Sequence, residues 1–143
     1  MGEIATYASD QVTVSFLGII LTNVAEGDFC KISRDEDAFH IIPGVDGIGT
    51  RTRNNNKQGT ITITLQSTSP SNLVLSGIAN TDELYATGIG TISVKDIYGS
   101  TKASASHAWI KKKPEVVFGK EQNTREWIFG CNFLKLDVGG NPD

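Results

Sequence analysis

A chain of 143 residues with a formal charge of −3 and pI near 5.3 has room for one ordinary core and not two comfortable ones, and it lacks the surplus of Lys and Arg on which non-specific nucleic-acid binding depends. Hydrophobic content of 38% and charged content of 20% suit a water-soluble domain, while 15 glycines among many Thr, Ser and Asn favour strands and turns. The longest apolar run, Phe16 to Leu21, is broken by Gly18 and is far too short to span a membrane, and Glu3 and Asp10 with no early Lys or Arg argue against a signal peptide.

Residues 1–10 have no visible period and read as a loose N-terminal arm. Val12, Val14 and Phe16 alternate with Thr13 and Ser15 as a first strand, bent or bulged at Gly18 and continuing through Ile19 to Leu21. Phe29 to Ser33 is a second strand. The acidic tract Asp35, Glu36, Asp37 marks an exposed turn before a strand over Phe39 to Ile42. Gly44 to Gln58, "GVDGIGTRTRNNNKQ", holds only Val45 and Ile48 as large apolar residues and reads as a long flexible loop over 44–58, a length that in compact domains usually signals function or disorder.

Gly59 to Ile78 changes period in its middle. Ile61, Ile63 and Leu65 alternate with Thr60, Thr62, Thr64 and Gln66, so this half is a strand with one buried and one polar face. Ser69 then offers a hydroxyl as helix cap, Pro70 suits the first helical position, and Leu73, Val74, Gly77 and Ile78 make one apolar face of a short helix. Ile92 and Val94 alternate with Thr91, Ser93 and Lys95 in a strand over Ile89 to Ile97, which "DIYGSTK" turns into another over Ala103 to Ile110. Val116 to Phe118 reads as a further strand. The last strand sets Trp127, Phe129, Cys131 and Phe133 on one face and Ile128, Asn132 and Leu134 on the other, with 138–143 as a C-terminal tail. Seven or eight strands and one helix, without repeats or a linker, predict a single mainly β domain over 1–143: a β-barrel or sandwich with the helix packed against it.

No reactive constellation emerges. His40 and His107 have no ligand partners at metal spacing on their own elements, the acidic turn at Asp35 and Asp37 is a weak ligand set, and "GVDGIG" lacks the Lys-Ser or Lys-Thr of a phosphate loop. Ser69 has no nearby base. Lys111 to Lys113 reads as a solvated strand end, and Cys30 and Cys131 read as buried free thiols, with a disulfide left open. The expectation is a non-enzyme without cofactor or metal.

The ordered set "NVAEGDFCKIS", "GVDGIGTRTRNNNKQGTITITL", "STSPSNLVLS", "GTISVKDIYGSTKASASHAWIKKKPEV" and "KEQNTREWIFGCNFLKLDVGG" resembles the tail tube proteins of contractile-tailed bacteriophages over about Val12 to Gly140. The resemblance implies a virion structural protein, assembled in the host cytoplasm into stacked hexameric rings that form the inner tail tube, the conduit for genome ejection. It implies contacts with other copies of itself and with tail sheath, baseplate and tail terminator proteins, while the tape measure protein and genomic DNA pass through the lumen without stable binding and no membrane is involved. On that basis Asp46, Arg51, Arg53, Asn54, Asn55, Asn56 and Lys57 are candidates for an inter-ring contact loop. Thr60, Thr62, Thr64, Thr91, Ser93 and Lys95 are candidates for a lumen or inter-subunit sheet face. Alternatives are the tube subunit of a phage-derived injection particle such as an R-type bacteriocin, a monomeric β-barrel ligand-binding module, and a metal-assisted hydrolase built on Asp35, Asp37 and His40.

Overall fold

The computed structural model describes residues 12–25, 28–96, 99–119 and 123–139. The N-terminal arm over 1–10 and most of the 138–143 tail lie outside these. In chain order the elements are β1 (Val12–Phe16), β2 (Ile19–Ile20), β3 (Cys30–Arg34), β4 (Phe39–Pro43), β5 (Gly49–Arg53), β6 (Gly59–Gln66), α1 (Ser71–Tyr85), β7 (Gly90–Asp96), β8 (Lys102–Lys112), β9 (Thr124–Cys131) and β10 (Lys135–Asp137). Eight of the strands form one antiparallel sheet in the order β2-β1-β7-β8-β9-β6-β3, with β10 also on β8, and β4 and β5 form a separate hairpin. The sheet does not close into a barrel; it is sandwich-like, with the residues of β1 and β7 packed onto those of β6 and β9.

The period-two pattern of β6 places Ile61, Ile63 and Leu65 in the core, each fully buried. Its register against β9 runs unbroken from Gly59 opposite Cys131 to Gln66 opposite Thr124, which puts Trp127 and Phe129 on the same inner face. Across the core the Phe16 and Phe129 rings meet edge to face with centroids 5.0 Å apart. Gly59 is required sterically, since a Cβ there would lie 2.3 Å from Leu134 Cδ2 and 2.9 Å from the Ser33 carbonyl oxygen.

Several expectations change. The chain does not bend at Gly18 but reverses: Leu17 and Gly18, with φ of 53° and 77°, form a two-residue turn that pairs Phe16 with Ile19. Within the expected 44–58 loop, Gly49–Arg53 is a strand paired with Phe39–Pro43. The backbone ladder makes it a strand although no core receives its side chains. Val116 to Phe118 is not in a strand, and all three are exposed. Pro114 cannot donate to a ladder, and the chain leaves the sheet at Lys112. The last strand ends at Cys131, where a bend at Asn132 and Phe133 breaks the alternation, exposing Phe133 and burying Leu134 instead.

The helix is 15 residues long. Pro70 holds helical dihedrals just before it, and the Ser69 hydroxyl accepts from Ser71 N–H at 3.2 Å while donating to the Thr22 carbonyl at 2.6 Å. The buried stripe is Ser71, Leu75 and Ala79, and not the Leu73, Val74, Gly77 and Ile78 face, of which Ile78 is only half-buried and Leu73 is 81% exposed. The orientation is set by a polar anchor. Asn72 accepts a hydrogen bond from the Trp127 indole N–H at 2.9 Å, and its amide donates to the Gln66 carbonyl at 2.9 Å and the Ser69 carbonyl at 3.2 Å. Those bonds hold position 72 toward the sheet and turn positions 73 and 74 away from it. At the other end Lys113 bridges to Glu83 at 3.3 Å and donates to Asn80, tying α1 to the exit of β8.

Because Trp127 is 2% exposed, removing its acceptor strands a buried donor. Asn72→Ala should cost about 1–3 kcal/mol in urea unfolding. With Trp127→Phe the double variant should show a coupling of at least about 0.5 kcal/mol, and strict additivity would mean that the bond does not orient the helix.

Candidate assembly surfaces

The strand directions define two poles. β1, β6 and β8 run parallel to one another in space, each antiparallel to its neighbour between them, and the eight residues of β6 span about 26 Å at ~3.3 Å per residue. At the Gly59 end, β3 and β6 continue into the β4–β5 hairpin. At the Gln66 end sit α1, the Leu17–Gly18 turn and the exit of β8.

The hairpin is built from its root outward. Asp35 N–H donates to the Gln58 carbonyl at 3.0 Å and Asn54 N–H to the Ala38 carbonyl at 2.7 Å. The run of asparagines is an ordered strap: Asn54 Oδ1 accepts from Asn56 N–H at 2.9 Å, and Asn56 Oδ1 accepts from Gln58 N–H at 3.1 Å. Both amides then donate to one carboxylate oxygen of Glu36, each at 2.9 Å. These two bonds are the first causes that hold the Glu36 carboxyl below its ordinary value, with His40 adding a weaker favourable charge. At the tip, Gly47 with φ of 82° makes the turn, Gly44 N–H reaches the Ile48 carbonyl at 2.8 Å, and Asp46 Oδ1 accepts from Ile48 N–H at 3.2 Å. The side chains on this frame are apolar and exposed: Phe39, Ile41, Ile42, Ile48 and Val45, the last fully so at 111%. The Arg51 guanidinium lies 4.1 Å from the Phe39 ring centroid.

Of the candidate contact-loop residues, the structure therefore brings Asp46, Arg51 and Arg53 onto the hairpin and Asn54, Asn55, Asn56 and Lys57 onto its return to β6. Lys57 Nζ sits 5.2 Å from the Phe133 ring, and its carbonyl accepts from Leu134 N–H at 2.9 Å. The missed residues are the apolar ones on β4 and at the tip. Val45 and Ile48 were visible in the sequence only as isolated apolar residues in a polar segment.

The two candidate sheet faces lie at opposite flanks of the sheet. Thr60, Thr62 and Thr64 are half-buried on the outer face of β6, where Thr60 donates to Asp35 at 2.9 Å and Thr62 and Thr64 stand opposite Ile128 and Glu126 of β9. Trp109 lies over Gly130 on this face: a Cβ on Gly130 would lie 2.9 Å from the Trp109 ring. Thr91, Ser93 and Lys95 are on the outer face of β7. There Ser93 lies between Ser15 and Ser104, and Lys95 between Thr13 and Lys102. β10 extends these rows with Lys135 and Asp137.

Among the described residues no cluster of three or more His, Cys, Asp or Glu is arranged to hold a metal ion. Cys30 and Cys131 are free. Cys30 faces Ile63 and Cys131 faces Gly59 on opposite sides of β6, four residues apart along it, a separation of about 13 Å that no disulfide spans. Burial pushes both thiols up to about 11, with the Asp35 charge contributing at Cys131.

Residues 6–139 match the family described as Bacteriophage PhiTE tail tube protein. The structural protein ORF10 of Pseudomonas phage KPP10 is 30% identical over 148 aligned positions, which cover 98% of this chain and 86% of that protein. The tube-terminating cap of the anti-feeding prophage has a similar fold, with a TM-score of 0.66 and 11% identity over 96% of this chain and 95% of that one. So does the sheath/tube terminator of the extracellular contractile injection system PVC in its extended state, with a TM-score of 0.65 and 12% identity over 96% of this chain and 100% of that one. The chain belongs to the PhiTE tail tube protein family of bacteriophages.

The Glu36 clamp has a testable pH signature. Its lowered carboxyl means that the bonds from Asn54 and Asn56 steady the hairpin root fully above the ordinary glutamate value and release it as pH falls through the depressed one. Glu36→Ala should speed tryptic cleavage after Arg51 and Arg53 several-fold at neutral pH while leaving the global unfolding midpoint nearly unchanged. Unaltered cleavage would show that the backbone ladder alone holds the root.

Proposed function

We propose that this chain is the subunit of the inner tube of a contractile phage tail, assembled into hexameric rings that stack into the conduit for genome ejection. The observation that carries the reading is the distribution of exposed apolar side chains. The core is complete, with Phe16, Ile61, Ile63, Leu65, Leu75, Ile92, Phe129 and Leu134 all fully buried, yet large apolar residues stand in solvent at both poles. Phe39, Ile41, Ile42, Val45 and Ile48 are exposed at one, and Leu73, Val74, Leu84, Tyr85 and Ile89 at the other. A finished monomer rarely leaves apolar patches of that extent uncovered. A lateral contact that closes makes a ring and an axial contact that does not close makes a filament, so a tube subunit needs both.

In this reading the hairpin with Asp46, Arg51, Arg53, Asn54, Asn55, Asn56 and Lys57 makes the inter-ring contact, and an outer sheet face lines the lumen or joins neighbouring subunits. Thr60, Thr62 and Thr64 fit a lumen better than Thr91, Ser93 and Lys95. Around the threonines Lys31 and Lys112 are offset by Asp35 and Glu126, whereas Lys95, Lys102 and Lys135 share the other face with Asp137 as its one acidic residue among the described residues. A balanced wall lets a polyanion slide, and a cationic one holds it. Tape measure protein and DNA pass through without stable binding, and sheath, baseplate and terminator proteins act on the outside and ends. Sheath contact and assembly in the host cytoplasm follow from the same reading.

Negative-stain electron microscopy over a concentration series, with sedimentation velocity alongside, tests it. Six-fold rings or hollow tubes are expected; a strict monomer at the highest concentration, also in the presence of baseplate assemblies, would overturn it. Duplex DNA of random sequence should show no retention by the isolated subunit at physiological salt, and saturable binding there would contradict the sliding lumen.

A further inference from the structure

The pole opposite the hairpin carries an open groove. Leu17, Val74, Gly77, Ile78, Thr81, Thr87 and Gly88 line an open groove of about 420 Å³ along α1. Among them is Gly77, in the middle of the helix, where an added Cβ would meet nothing within 4 Å. Glycine in a helix interior costs stability relative to alanine, so the fold of the single chain gains nothing from it. The position is exposed and leaves open space over the helix. Beside the groove stand Leu73, Leu84 and Tyr85, at 81%, 75% and 71% exposure.

We infer that the α1 groove of one subunit receives the β4–β5 hairpin of a second copy of this chain, with the Val45–Ile48 tip seated over Gly77. This rests on the tube reading and names the surface that its axial contact uses. Three observations carry it. The two surfaces lie at opposite ends of the strands, so one copy docked head to tail on another repeats without closing, as an axial contact must. The shapes correspond: a two-stranded finger with a narrow, fully exposed tip meets an open apolar trough. The charges match in part. α1 bears Asp82 and Glu83, the latter bridged to Lys113, and no basic residue, whereas strand β5 of the hairpin bears Arg51 and Arg53 against the single Asp46 of the tip.

Gly77→Tyr fills the trough without touching the core, and it replaces a helix-breaking residue by a better helix former. The variant should keep or raise the unfolding midpoint and still form single rings, while the concentration needed for tubes rises at least about tenfold. The pair Val45→Cys and Gly77→Cys, oxidised in assembled wild-type-like tubes, should give a covalent ladder that neither single variant gives. Tubes that form from Gly77→Tyr as readily as from the parent, or tubes of the double cysteine variant with no ladder, would overturn the groove assignment while leaving the tube reading intact. Absence of rings and tubes from the parent chain itself, with no ladder from the pair in concentrated solution, would overturn both.

Discussion

The pairing of β6 on both sides is the constraint on which the rest of the molecule depends. Every inward position from Gly59 to Leu65 is buried, and the strand hands its register to β3 on one side and to β9 on the other without a bulge. A slip of one residue would turn Ile61, Ile63 and Leu65 to the solvent and bring three threonines into the core, so the register has no near competitor. From it follow the position of Trp127 opposite Ile63, the meeting of Phe129 with Phe16, and the seating of Leu134 over the one residue of the strand that has no side chain. The strand also sets the distance between the poles. Whatever the hairpin and the helix do as contact surfaces, they do it at the spacing that β6 fixes.

How much of this was legible in the residues depended on whether a core was there to read. β6, β7 and most of β9 alternate because one face of each is buried, and the alternation is visible in the chain. The hairpin has no core beneath it. In β4 and β5 the large apolar residues sit beside polar ones without a buried face, so periodicity marks β5 as loop although the backbone pairs with β4 in perfect register from Phe39–Arg53 to Pro43–Gly49. The three asparagines suggested flexibility by composition, and in the fold they cap one another's backbone and converge on Glu36. Turn composition signals that the chain leaves regular structure, but it does not say whether the departure is loose or strapped.

The helix shows the converse. Its beginning was legible at Ser69 and Pro70, but its buried stripe was not, because Leu73 and Val74 are apolar and exposed while the buried stripe includes the hydroxyl of Ser71. The polar bonds of Asn72 to Trp127 and Gln66 decide which way the helix faces, and a side-chain amide bonded to an indole 55 positions away leaves no local signal. Of the expected apolar face only Ile78 packs partly against the core, and Leu73, Val74 and Gly77 lie at the surface. That error carries functional information, since the side chains freed from the core are those that line and flank the groove.

Two of the misread elements, the hairpin and the outer face of the helix, are thus among the surfaces that a single chain leaves uncovered, as the proposed assembly would require. A residue that packs against another copy obeys the same rule of burial as a core residue, but its partner lies outside the chain, so the pattern is incomplete when one subunit is read alone. In the proposed axial contact, a hairpin without a core and a glycine with open space above it are the two halves of such a pattern. The fold spends no stability on closing its sheet into a barrel or on covering the exposed face of its helix. Were those surfaces satisfied within the chain, the subunit would be a better monomer with less apolar surface at either end for the proposed stacking, and a subunit of the proposed tube has to be incomplete in just this sense.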